Sequence, residues 1–198
     1  MKTEIIDNKL NTFYQEYNLG EDGGNHLPYV TLEIGSFFKF YIPNWDNRRK
    51  AVLRHDIHHL LTGYKSELLG EFEIAAWEIG SGCMNYFAAY LLNSGGLLAG
   101  LLIYPRPTFK AFLLGCRTTN LYQLNIYDKS LKNSTIEELK MQIGLEPKPC
   151  LTKIRLFEIL KLAYHIGISI FLQTIVCILS PLLIVYNIWM HGKRLFGN

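Results

Sequence analysis

The chain has 198 residues, enough for one domain with a sizeable core. Its formal net charge is only +3. That gives no basis for nucleic-acid binding, while a mild basic excess suits an anionic membrane surface. Apolar residues make up 49% and mean hydropathy is +0.09, high for a freely soluble protein. Cys83, Cys116, Cys150 and Cys177 are too dispersed for a C-x-x-C site. They read as reduced, packed thiols of a reducing compartment. The opening MKTEIIDNKLNTFYQEY carries acidic residues and no apolar run, so neither a secretory leader nor an Arg-rich transit peptide is expected. The site-bearing part is expected on the cytoplasmic side.

In chain order, residues 1–24 read as a short helix with Phe13, Tyr14 and Tyr17, ending in LGEDGG. Residues 29–34 and 37–42 alternate apolar and polar around Gly35-Ser36, the pattern of a hairpin that Pro43-Asn44 ends. Asp46 or Asn47 can cap a helix running to about Thr62, with Gly63 as its stop. A second helix is expected from near Ser66 towards Asn93, interrupted at Ser94-Gly95-Gly96. Residues 118–133 look like loop. Ser134-Thr135-Ile136-Glu137 has the capping-box pattern of a short helix closed by Gly144 and Pro147.

Two stretches lack charge. Ile79–Pro105 is diluted by Asn85, Asn93, Ser94 and glycines, and reads as a buried helix or the wall of a lipid cavity. Leu162–Gly192 has no Asp, Glu, Lys or Arg, and its heart exceeds the roughly 20 apolar residues that a bilayer needs. The expected fold is mainly α: a helical bundle with a small N-terminal β-hairpin and a hydrophobic C-terminal helix. Residues 1–150 would form the helical metal-binding domain, and 151–198 the membrane-associated segment.

The chemistry concentrates in residues 54–83, RHDIHHLLTGYKSELLGEFEIAAWEIGSGC. On a helix His55 and His59 point within about 40° of each other. Asp56 lies about 60° round from His59, so it can ligate the same ion or orient a histidine. Leu53, Ile57, Leu60 and Leu61 take the opposite face, and His58 points to one side, as an orienting or surface residue. The Thr62–Lys65 turn reverses the chain, so Glu71 can face the histidines from the next helix, where Glu67, Glu71, Glu78 and Asn85 share a stripe. Buried carboxylates are costly without partners, and a cation would supply one. Two imidazoles with carboxylates suit Zn²⁺, with Fe²⁺ or Mn²⁺ also compatible.

The segment resembles the Coq4 family of ubiquinone-biosynthesis proteins, which carries HDxxH, eleven residues, then Glu. Here His55-Asp56-Ile57-His58-His59 is followed by eleven residues and Glu71, and LTGY at 61–64 and Gly70-Glu71 are also similar. The match covers about residues 48–82. The resemblance implies zinc held by His55, Asp56, His59 and Glu71. It implies a mostly helical, membrane-associated protein that binds a polyprenyl lipid or quinone precursor. It also implies head-group chemistry at the carbon that loses its carboxylate, and a second copy or a biosynthetic complex as partner. As an enzyme it would be a metal-dependent lyase or oxidoreductase. Glu78 is then a candidate proton-transfer group, and Arg54 and Arg106 are candidates for the lipid head group.

Other readings compete. The H-x-x-H-H spacing also occurs in membrane di-iron enzymes, but those need about eight histidines and this chain has six. His55-Asp56 occurs in HD-type phosphohydrolases, for which only His26 and Asp128 could complete the set. A non-catalytic lipid-binding or scaffold protein with a structural zinc is the main alternative. Four protein ligands close a zinc site, whereas three leave a position for water or substrate.

Overall fold

The computed structural model describes residues 5–20, 24, 26–34, 38–44 and 46–196; the side chains of 30–34, 38–43, 47, 183–184 and 186–196 lie outside that description. Eight helices are described: α1 (Ile6–Glu16), α2 (Asp46–Thr62), α3 (Leu68–Ser81), α4 (Phe87–Ile103), α5 (Pro105–Cys116), α6 (Asp128–Asn133), α7 (Ile136–Gln142) and α8 (Leu156–Phe196). Nearly all side chains of the expected hairpin, and its turn at 35–37, lie outside the described residues. Of it, only a backbone ladder of Tyr29–Ile34 against Phe38–Pro43 is described.

The core forms round α3. Phe72 and every residue from Ile74 to Ser81 are buried, as expected of a helix apolar on all sides. Glycines let its neighbours come close. A Cβ on Gly115 of α5 would stand 2.3 Å from the Trp77 carbonyl, and one on Gly80 would stand 2.5 Å from the Phe112 carbonyl. On another side, Gly96 and Gly100 of α4 admit the side chains of Ala75 and Phe72. α1 adds Ile6, Leu10, Phe13 and Tyr14, one helical face, and α2 adds Leu53, Ile57 and Leu61.

Four sequence expectations change. The second helix stops at Gly82, in the left-handed region at φ 102°, and α4 begins afresh at Phe87. Ser94-Gly95-Gly96 does not interrupt α4. Those small residues are where it meets α3 and α8, so packing outweighs their weak helix propensity. The capping box is one residue later than expected: Thr135 accepts from Glu138 N–H, and the Glu138 carboxylate accepts from Thr135 N–H. A short helix, α6, also lies within the stretch read as loop.

α8 is one helix through Pro181, long and apolar enough to cross a membrane. Only 17% of its most apolar window is buried, which is unlike a core helix. Its first half is docked on the body. Arg117 pairs with both oxygens of the buried Glu158, and Lys161 Nζ donates to the Gly80 carbonyl. Tyr90 and His165 share a hydrogen bond of 2.8 Å. Gln173 donates to Ser94 Oγ and to the Leu91 carbonyl. Beyond Gln173 the described side chains are mostly exposed.

Gly115→Ala must push α5 from α3 and is expected to cost about 1–3 kcal/mol, read as a lowered thermal midpoint in detergent. Gly167→Ala meets nothing within 4 Å and should be neutral or slightly stabilising.

Candidate metal centre

α2 carries its three histidines near its end, and Gly63, at φ 77°, stops the helix and turns the chain back. The Tyr64 carbonyl then faces α2 and accepts from His59 Nδ1 at 2.8 Å. Gly70 completes the turn: any Cβ there would collide with the Lys65 backbone, at 2.0 Å from its oxygen. Glu71, the next residue, is thereby placed opposite the histidines.

Hydrogen bonding fixes both tautomers. A carbonyl only accepts, so His59 Nδ1 carries the proton and Nε2 presents a lone pair. His55 Nδ1 donates to Glu78 Oε1 at 2.9 Å, so in the neutral ring its Nε2 also presents a lone pair. Those two Nε2 atoms face each other at 3.2 Å. Glu71 offers its carboxylate at 3.4 Å from His55 Nε2 and 3.3 Å from His59 Nε2. Three acceptors therefore converge with no donor between them. A proton or a metal ion must sit there. Ligands bonded to zinc at about 2.0–2.1 Å in a tetrahedron lie about 3.3 Å apart, the spacing found here. Among the described residues, His55, His59 and Glu71 are the one group of His, Cys, Asp or Glu side chains placed to share an ion.

The site has a dry floor and an open rim. The His59 side chain is 1% exposed, whereas His55 is 25% and Glu71 39% exposed. Phe13 stacks on the His59 ring at 5.7 Å. Ser66 Oγ donates to Glu71 Oε1 at 3.1 Å.

Asp56 is not in the group. It is buried and turned towards α1, where Tyr14 OH donates to its Oδ2 at 3.1 Å. Burial pushes its carboxyl up to about 6, against the pull of His55 and the Tyr14 bond.

Glu78 is not placed as a proton-transfer group at the rim. Its side chain is fully buried. His55, His58, Asn93 and Tyr122 all converge on its oxygens. Burial opposes its charge, but the two histidines outweigh that and hold its carboxyl well below the usual range. For His55, burial works against protonation, and Glu78 and Glu71 together raise its pKa well above the ordinary value. His58 is no surface residue: it is fully buried, donates from Nδ1 to Glu78 at 2.7 Å and accepts from Leu121 N–H at 3.0 Å. Burial lowers its pKa.

Arg54 is also committed elsewhere. It is buried, pairs with Asp128 at 2.8 Å and donates to the Ile126 carbonyl, which ties the 117–127 loop to α2. Arg106 lies exposed at the start of α5. Glu67 is exposed ahead of α3, and Asn85 is exposed beyond its end. Sequence reasoning did not find Asn93, Tyr122 or the Leu121 amide, because their approach to Glu78 and His58 depends on chain reversals far from the motif. Comparison with protein-family models, curated proteins and solved structures returns no match.

Removing the Glu78 charge frees the His55 tautomer. Glu78→Gln is expected to weaken zinc binding about 10–100-fold, read by competition with a chelator. Without an ion, a proton must bridge the facing Nε2 atoms and the Glu71 carboxylate, and an arriving zinc displaces it, so zinc uptake should release protons. Calorimetry in two buffers of different ionisation enthalpy reads that release as a difference in apparent heat.

Proposed function

We propose that this is a membrane-associated metalloprotein acting on a prenyl lipid, in the manner of the Coq4 family, in ubiquinone or related isoprenoid-lipid biosynthesis. The observation that carries the reading is the convergence of His55 Nε2, His59 Nε2 and the Glu71 carboxylate at tetrahedral spacing. The HDxxH, eleven residues, Glu spacing adds the family. α8 adds the membrane. Zinc suits the donor set best, and Fe²⁺ or Mn²⁺ are chemically compatible.

Three protein ligands with an open rim favour an enzyme over a closed structural site. The competing scaffold reading needs Asp56 as a fourth ligand, and the Tyr14 bond holds it towards α1. The ion, when bound, would supply a Lewis acid for the substrate head group. His55 and Glu71, at the exposed rim, would meet that head group first. Glu78 and the Tyr64 carbonyl keep the two imidazoles aimed, and His58 and Asn93 keep Glu78 in place. The reaction class that fits is loss of a carboxylate from a prenylated quinone precursor, with any further oxidation left to a co-reactant. The free state of all four cysteines suits a body on the cytoplasmic side.

The test is elemental analysis of purified protein with lipid extraction of the same sample. We expect one equivalent of zinc per chain, lost in His59→Ala, together with an extracted polyprenyl lipid. Wild-type protein without metal would sink the metal centre; stoichiometric metal without prenyl lipid would sink the lipid assignment alone.

A further inference from the structure

The geometry points to the α4–α5 corner, Leu102, Ile103, Arg106 and Lys110, as a second contact with an anionic bilayer, beside the place where α8 enters it. The inference rests on the reading of α8 as a membrane helix.

The corner combines two kinds of surface. Leu102 is 84% and Ile103 64% exposed, although a helix end could have turned such residues inward. Arg106 and Lys110 follow on the next helix, one turn apart. Both are exposed, and neither makes an ion pair or hydrogen bond among the described residues. From Ile79 to Pro105 the chain carries no charge, and α5 has no acidic residue. Apolar side chains next to unneutralised cations are what an anionic lipid surface takes up.

Position supports the same occupant. α4 and α8 run in parallel: Tyr90 meets His165, Ser94 meets Gln173, and Leu98 shares a groove with Thr174, Cys177 and Ile178. Ile103 is five residues past Leu98, so it lies about 7.5 Å further along, near the level of Leu179. The charge-free chain from Thr174 to Gly192 would reach about 28 Å as a helix, close to the roughly 30 Å hydrocarbon core. Lys193 and Arg194 follow it. A bilayer that begins near Thr174 therefore immerses Leu102 by about 6 Å and Ile103 by about 7.5 Å, within the roughly 5–10 Å typical of interfacial apolar faces. Lys110, one turn back along α5, then stands near head-group level, and Arg106, at the corner itself, reaches it by extending its long side chain outward. This gives Arg106 a bilayer phosphate as its partner, away from the metal centre.

The experiment uses the full chain in phosphatidylcholine vesicles, with and without phosphatidylglycerol. Cys116, Cys150 and Cys177 are replaced by Ala and the buried Cys83 is kept. Spin labels at Leu102→Cys, Ile103→Cys and Ile178→Cys are compared with one at Glu137→Cys, exposed on α7. Labels at 102, 103 and 178 should lose collisions with a water-soluble nickel chelate and keep those with oxygen. In Arg106→Gln/Lys110→Gln, the extra protection given by phosphatidylglycerol should fall about fivefold per cation removed. If 102 and 103 are as aqueous as 137 while 178 is in lipid, the corner proposal fails and the α8 reading stands. If 178 is aqueous too, both fail. Protection at 102 that persists in detergent and rises with protein concentration would assign the corner to a second copy and overturn the proposal.

Discussion

A fully buried carboxylate must be met by donors from every side, and Glu78 is met from three elements of the fold. His55 and His58 approach it from α2, Asn93 from α4 and Tyr122 from the loop after α5. An unpaired charge at that depth would cost several kcal/mol. These elements therefore cannot drift apart without exposing it, and the geometry of the rim is inherited from this interior knot. The close glycine crossings serve the same end. They bring α4 and α5 against α3 at backbone distance, which puts Asn93 within reach of Glu78.

The same charge decides the chemistry at the surface. A histidine can offer either nitrogen to a ligand, and the bond made by the other nitrogen selects which one. Here a carboxylate and a carbonyl each claim an Nδ1, and the two Nε2 atoms are left facing one another. Asp56, in sequence a candidate ligand or orienter of a histidine, is taken by Tyr14 instead. Its neighbour relations along the chain suggested a ligand, but its direction is set by α1.

The legible part of this protein was local. The polar face of α2, its stop at Gly63 and the reversal that brings Glu71 back are spelled out by residues within about one turn of each other. The long apolar helix was equally plain. Features that depend on contacts far apart in the chain were not. Glu78 looked like one more member of a stripe, because nothing near it announces Tyr122 or Asn93. The small residues of α4 looked like a break, because their value lies in Ala75, Phe72 and Gln173 on other helices. The capping frame slipped by one residue because Ser134 and Thr135 are chemically interchangeable in pattern, and only backbone geometry chooses Thr135.

The turn at Gly63–Gly70 has a bearing on how such a centre would be completed in a cell. Its carbonyl at Tyr64 and the buried Glu78 orient the imidazoles by themselves, with a proton able to hold the gap between them. The group of acceptors that could hold a cation is thus finished by folding alone. An arriving ion would exchange for a proton rather than organise the chain.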